Sequence, residues 1–325
     1  MNSVDHEVLA GLLAWQASGY RAVLITVART WGSSPRPAGS WAAIRDDGQV
    51  IGSVSGGCVE DDLIGRVVDG SLMARGPRPF TLSYGVTGDE AARFGLPCGG
   101  KLELMLESAP DTMLLAELRT RITHGECVMR RVVRDGGVTL HDAGPDTAVS
   151  FDGATLQTVH GPRWRLFIVG AGQISQYLAR MAPALDYRVT VCDPREEYAS
   201  QWAVPGSEWA PGMPDDALLA WHPDTRSAIV ALTHDPKLDD LVLIDALRAP
   251  AFYVGALGSR RSQARRRERL AQHFGLSPDE LERLHGPVGL PIGSRTPPEI
   301  AVAILAEMTA VKNGAAMIRQ AGLPA

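Results

Sequence analysis

Cysteine is scarce in this chain: 325 residues hold four, Cys58, Cys98, Cys127 and Cys192, and no C-x-x-C pair. That excludes a disulfide-stapled secreted scaffold and, since neither Cys58 nor Cys98 has a closely spaced second ligand, a structural zinc site. No apolar run approaches the ~20 residues that span a bilayer, and residues 1–10 lack the basic start and apolar stretch of a signal peptide. Positive charge is not in excess either. Against 37 Asp and Glu stand 32 Lys and Arg, a net charge of −5, so no electrostatic ground exists for binding nucleic acid or an anionic membrane. These absences predict a cytoplasmic protein with no nucleic-acid and no membrane partner, and no metal held by protein ligands alone.

What is present suits a globular protein. At ~100 to 200 residues per domain the length predicts two domains, each able to bury a core. Hydrophobic periodicity predicts helices at residues 4–17, 59–68 and 111–122, and strands at 21–28, 40–44, 50–54, 80–83, 101–106, 127–133 and 138–141. Residues 142–163 mix Gly, Pro, Asp, Ser and Thr with no sustained period and read as an interdomain connection. Beyond them, strands at 165–169, 188–192, 227–232 and 252–255 alternate with helices at 172–181, 238–247 and 262–274. The expected architecture is α/β: an N-terminal mixed α/β domain over 1–145, a linker over 146–163, and a Rossmann-like doubly wound parallel sheet over 164–325.

Gly170-Ala-Gly172-Gln173-Ile-Ser175 lies between a strand and a helix, and Asp193 ends the next strand, which is the dinucleotide fingerprint in its required context. Gly170 permits the tight turn and Gly172 lets a pyrophosphate approach the helix N-terminus. Asp193 is placed to accept ribose hydroxyls and disfavours a 2′-phosphate, so NAD or another nucleotide with a free diol is preferred to NADP. Ser175 replaces the third glycine, which loosens helix-to-strand packing slightly. His234 follows the next strand, where a general acid or base or an ordinary loop hydrogen-bonder both fit. Gly258-Ser259-Arg260-Arg261 opens an arginine-rich helix and suits a second phosphate grip, whereas Arg261, Arg265 and Arg269 share a stripe that reads as a solvated face.

In the N-terminal half, Gly56 and Gly57 precede Cys58 at a helix start, a setting that lowers a thiol pKa, although Glu60, Asp61 and Asp62 push the other way. Cys98 stands before Gly99-Gly100. Two such thiols suit a soft metal, a transferred sulfur atom or a molybdenum dithiolene, and packing alone accounts for many cysteines. Cys127 and Cys192 lie in strand-like runs and read as core.

Taken in order, Gly32-Ser-Ser-Pro-Arg-Pro-Ala-Gly39, Gly52-Ser-Val-Ser-Gly-Gly-Cys-Val-Glu60, Pro97-Cys-Gly-Gly100, the Gly170 fingerprint, Thr233-His-Asp-Pro236, Gly255-Ala-Leu-Gly-Ser-Arg-Arg261 and Pro287-Val-Gly-Leu-Pro-Ile-Gly-Ser-Arg-Thr-Pro-Pro-Glu-Ile-Ala301 resemble the xanthine dehydrogenase accessory family, XdhC/CoxI, over nearly the whole chain. The resemblance implies a chaperone that binds the molybdenum cofactor (molybdopterin, mononucleotide or cytosine dinucleotide form), helps to sulfurate it and delivers it to a molybdenum hydroxylase such as xanthine or carbon monoxide dehydrogenase. It further implies a homodimer that meets a cysteine desulfurase and the apoenzyme. Gly32, Ser33, Ser34 and Arg36, with Gly56, Gly57, Cys58, Cys98, Gly99 and Gly100, would then form part of the cofactor pocket together with the Rossmann crevice. Pro291 stands where the family leads one to expect an acid. An NAD-dependent oxidoreductase using His234 and a nucleotide-sensing regulator are the alternatives, because the fingerprint alone fits all three.

Overall fold

The computed structural model describes residues 4–31, 36–57, 59–85, 101–144 and 147–315. The chain divides between Pro162 and Arg163 into two compact units. In the first, β1 (Ala22–Trp31), β2 (Trp41–Arg45), β3 (Val50–Gly52), β4 (Phe80–Tyr84) and β5 (Lys101–Glu107) form an antiparallel sheet in the order β3-β2-β1-β5-β4. Helices α1 (Val4–Ala17), α2 (Glu60–Val68) and α3 (Thr112–Thr123) belong to the same unit. The predicted amphipathic opening helix is observed: Val8, Leu9 and Leu12 of α1 are wholly buried. Asp111 starts α3 as the sequence implies, its side chain accepting from Met113 and Leu114 N–H groups at 2.8 and 3.2 Å.

The expected linker is not one. A second antiparallel sheet, β6 (Val128–Val133), β7 (Val138–Asp142), β8 (Ser150–Phe151) and β9 (Thr155–His160), has the order β7-β6-β9-β8. In it β9 pairs with the full length of β6, from Val128 opposite His160 to Val133 opposite Thr155. Asp152 and Gly153, two of the residues that suggested a connection, form the turn of a hairpin. Asp152 turns the chain between β8 and β9 by accepting from Ala154 and Thr155 N–H groups.

The second unit holds β10 (Trp164–Val169), β11 (Tyr187–Cys192), β12 (Ser207–Trp209), β13 (Ser227–Ala231), β14 (Tyr253–Ala256) and β15 (Leu284–His285). All six are parallel, in the order β12-β11-β10-β13-β14-β15. Counted within the unit this is 3-2-1-4-5-6, the doubly wound dinucleotide-binding order, and it reverses between β10 and β13. Helices α4 (Gln173–Met181), α5 (Glu196–Ala199), α6 (Pro214–Trp221), α7 (Pro236–Arg248), α8 (Arg260–Phe274), α9 (Pro278–Glu282) and α10 (Pro297–Lys312) complete it.

Alternate residues of the strands serve opposite faces, as a sheet covered on both sides requires. Leu166, Ile168, Val189 and Val191 pack with Leu178 of α4 and Ile304 and Met308 of α10. Phe167, Val169, Ile229 and Ala231 pack with Val242 and Leu243 of α7 and Leu270 of α8.

Ser175, at the third glycine position of the fingerprint, is fully buried, and its hydroxyl finds no hydrogen-bond partner among the described residues. Burying an unpaired hydroxyl costs about 1 kcal/mol or more. We expect Ser175→Ala to raise stability by about 1 kcal/mol, read as a higher urea midpoint at unchanged slope; a lower midpoint would mean that the hydroxyl is bonded.

Candidate functional site

The reversal of strand order opens a crevice at the carboxyl ends of β10 and β13, and the Gly170 turn lies there. Gly170 has φ +98°, and a Cβ on it would come within 3.1 Å of the Leu232 carbonyl carbon and Thr233 Cα. Only glycine meets both conditions. Gly172 differs: as the residue before α4 it has φ −76° and ψ −174°, which any residue adopts, and a Cβ there would meet nothing within 4 Å. Neither backbone nor packing demands glycine, so its lack of a side chain keeps space clear at the first turn of α4. Amide groups there are unsatisfied and favour an anion. Gln173, the first residue of α4, is exposed.

Asp193 departs from expectation. Its side chain has no exposed surface, because its oxygens are turned inward. They accept from Ala171 N–H at 2.8 Å, Arg195 N–H at 3.1 Å, and Arg195 Nε and Nη2 at 2.8 and 2.7 Å. Burial alone would raise the Asp193 pKa; Arg195 and Ala171 hold it below the ordinary value. The carboxylate ties the Gly170 turn to the end of β11 and is not free to read a ribose. Beside it Cys192 is core as expected, and burial, with Asp193 and Asp215 adding, pushes its thiol up to about 12. Cys127 is only half-buried, with Sγ 3.2 Å from the Pro162 carbonyl.

The loops after β13 and β14 are set by Arg266, a residue that charge counting along the chain does not single out. Its guanidinium, 6% exposed, donates to Asp239 at 3.1 Å, Asp240 at 2.9 Å, the Leu257 carbonyl at 3.1 Å and Gln263 Oε1 at 3.2 Å. Asp239 in turn accepts from the Thr233 hydroxyl at 2.7 Å and the Thr233 N–H at 3.2 Å. Spacing carried the signal, since Gln263, Arg266 and Leu270 are the buried positions of α8 and sit on one face at i, i+3 and i+7. Of the stripe read as solvated, Arg261 and Arg265 are exposed as expected, whereas Arg269 pairs with Asp240 at 2.6 Å.

His234 has φ +68° and an exposed ring with no hydrogen bond among the described residues, so nothing there orients it as an acid or base. Gly258 has φ +145°, and a Cβ on it would lie 2.6 Å from Ser262 Oγ. The Ser259 hydroxyl is engaged in capping α8, accepting from Ser262 N–H at 3.1 Å. Arg260 and Arg261 are exposed at the start of that helix.

In the first unit Gly32, Ser33, Ser34, Cys58, Cys98, Gly99 and Gly100 lie outside the described residues. Arg36 and the Gly52–Glu60 motif do meet, through Arg36 Nε donating to the Ser53 carbonyl at 3.1 Å. Glu60, 8% exposed, organises the loop. Its carboxylate accepts from the Ser53 hydroxyl at 2.7 Å, from Val54, Ser55 and Gly57 N–H groups at 3.0, 2.9 and 3.0 Å, and from the Ser55 hydroxyl. Gly56 and Gly57 are exposed with φ +80° and +116°. Their N–H groups are spent within the loop, Gly56 on Ser53 Oγ and Gly57 on Glu60. What the two glycines offer a ligand is room, not amide donors.

Known proteins share both the sequence and the fold behind this geometry. The XdhC Rossmann domain matches residues 166–308, and the XdhC and CoxI family matches residues 15–85. Together the two matches place both XdhC-type domains in this chain. Across 91% of its length it is 29% identical to the molybdenum cofactor insertion chaperone PaoD of Escherichia coli, covering 85% of that protein. Across 96% it is 26% identical to a probable xanthine dehydrogenase subunit from Bacillus subtilis, covering 99% of it. A crystal structure described as a xanthine dehydrogenase from Bacillus halodurans has the same fold, with TM-score 0.72, 24% identity and 98% coverage of both chains. The XdhC Rossmann match takes in the Gly170 turn, Asp193, Arg195 and Arg266; the XdhC and CoxI match takes in Arg36, Gly56, Gly57 and Glu60. Cys98 falls outside both.

Two outcomes follow from these networks. Arg266→Met leaves buried Asp239 without its cation and Asp240 with Arg269 alone, so stability should fall by about 3 kcal/mol or more in chemical denaturation; a loss under about 1 kcal/mol would deny the network its role. For Glu60, burial works to raise the pKa, but bonds from Ser55, Ser53 and Val54 bring it down to about 2 from an ordinary 4.5. A carboxyl with a depressed folded-state pKa stabilises fully above about 4.5, and that contribution is lost as pH falls toward 2. Glu60→Gln should be less stable at neutral pH by about 2 kcal/mol, and its deficit should shrink between pH 4.5 and 2. A pH-independent deficit would refute the charge.

Proposed function

We propose that this chain is an accessory chaperone that binds the molybdenum cofactor, assists its sulfuration and hands it to a molybdenum hydroxylase of the xanthine or carbon monoxide dehydrogenase type. The observation that carries the reading is the ungated first turn of α4, where Gly172 is demanded by neither backbone nor packing, in a chain related over most of its length to a molybdenum cofactor insertion chaperone. An anionic phosphate is the group such a turn accepts, and molybdopterin carries one in both its mononucleotide and cytosine dinucleotide forms.

The described residues fit that end of the group. Gly172 and Gln173 would hold the phosphate at the α4 amides, and Arg260 and Arg261 add exposed positive charge from the N-terminus of α8 in the same unit. When bound, the cofactor supplies a dithiolene and molybdenum, for which thiolates are suitable partners. Cys58 and Cys98 are proposed for that role, with sulfur supplied by a cysteine desulfurase. A homodimer and a transient complex with the apoenzyme complete the proposal. Arg36 and Glu60 act within the chain, holding the segment from Ser53 to Gly57 in shape. Among the described residues no helix is long and apolar enough to cross a membrane.

The test is metal and pterin analysis of protein purified without oxygen from a molybdate-supplied host. We expect molybdenum and pterin to co-purify with the wild type. Gly172→Ala should unfold like the wild type yet hold pterin about tenfold more weakly, the equivalent of one lost charge-assisted hydrogen bond. Cys58→Ala should retain less molybdenum. Wild-type protein carrying neither above background, and failing to raise the activity of a target hydroxylase, would remove the proposal.

A further inference from the structure

We infer that the crevice beside the Gly170 turn also takes a nucleotide carrying a phosphomonoester on its ribose, of the NADP or adenosine 2′,5′-bisphosphate class, in preference to one with a free diol. The inference rests on the reading of that crevice as a nucleotide site. In this fold the side chain just past the second strand of the unit meets the ribose, an exposed acid selecting the free diol and a nearby arginine the 2′-phosphate. The acid here is Asp193, immediately after β11, and its side chain is wholly covered. Ala171 N–H and the backbone and guanidinium of Arg195 satisfy it. A ribose hydroxyl therefore finds no acceptor at that position.

What is exposed there instead is Arg195, whose side chain keeps 29% of its surface open to solvent. Its Nε and Nη2 hold Asp193, while Nη1 has no partner among the described residues. The guanidinium carbon lies 4.0 Å from the centre of the Tyr198 ring, which steadies the plane against one face. Of an arginine's five N–H donors, the pair with Asp193 leaves about three free. A doubly charged phosphate matches that fork geometrically and electrostatically. The Asp193 charge is cancelled within the pair, and Glu196 and Glu197, both exposed on α5, follow Arg195 in the chain.

Fluorescence or calorimetric titration with NADP⁺ against NAD⁺, and with adenosine 2′,5′-bisphosphate against adenosine 5′-monophosphate, tests the inference on the purified full chain. We expect the 2′-phosphorylated member of each pair to bind at least tenfold more tightly, with the ratio shrinking as salt is added. Arg195→Ala, which uncovers Asp193, should abolish or invert the preference, and Arg195→Lys, which keeps the charge without the fork, should retain part of it. Equal or tighter binding of NAD⁺ by the wild type overturns the inference and leaves the nucleotide site standing. Binding of none of the four probes, with the pterin still loaded, overturns both. Should Arg195→Ala fold poorly, the wild-type ratio and the Lys variant decide alone.

Discussion

The buried guanidinium of Arg266 is the constraint on which the carboxyl edge of the parallel sheet depends. Removing a charge from water costs several kcal/mol, so a buried arginine survives only where the surrounding groups meet its donors. Here the partners come from separate pieces of chain: Asp239 and Asp240 on α7, the Leu257 carbonyl after β14, and Gln263 on its own helix. Asp239 passes the constraint on to Thr233 after β13. Two crevice loops that share no covalent neighbourhood are thereby held in one register. The Gly170 turn is joined to the same edge by packing, since its Cα lies against Leu232 and Thr233 too closely for any side chain.

Glu60 does for the first unit what Arg266 does for the second, with opposite sign. One carboxylate gathers hydrogen bonds from Ser53, Val54, Ser55 and Gly57 and shapes a loop that would otherwise be a run of flexible glycine and serine. The consequence for chemistry is specific. Backbone amides at a glycine-rich turn before a helix are normally an invitation to an external anion, but here the chain's own carboxylate has taken up the invitation. An anionic ligand gains little from that loop's amides, so negative groups are better served at α4, where the first turn is open.

The elements legible in the sequence are those whose periodicity is local. The strands and helices around the Gly170 fingerprint fall within a few residues of expectation, because buried parallel strands read as short apolar runs and the glycines mark the turns between them. β9 was not legible, since its partner β6 supplies the other half of the pattern and its own residues, Thr155 to His160, mix polar and apolar types. Likewise β12 and β15 are edge strands of three and two residues, too short to carry any period. The arginines of α8 show a different failure: counting charges along residues 260–269 predicts a wet helix, while asking which of them shares a face with Leu270 identifies Arg266 as buried.

Asp193 shows why a motif can be matched correctly and still mislead about chemistry. The fingerprint names a position and a residue type, and both are as expected; what a carboxylate does there depends on whether its oxygens reach the ligand or are consumed first. In extended backbone, side chains two residues apart lie on the same side, and Asp193-Pro194-Arg195 places a cation at that spacing with a proline restricting the link between them. Pairing across such a short span costs little chain entropy, and burial of the carboxylate makes the alternative, an exposed acid beside a free guanidinium, the state that would have to be explained. What the crevice meets at this position is thus the outer N–H edge of a paired arginine in place of a free carboxylate, which removes the acceptor a diol needs and leaves donors for a phosphate.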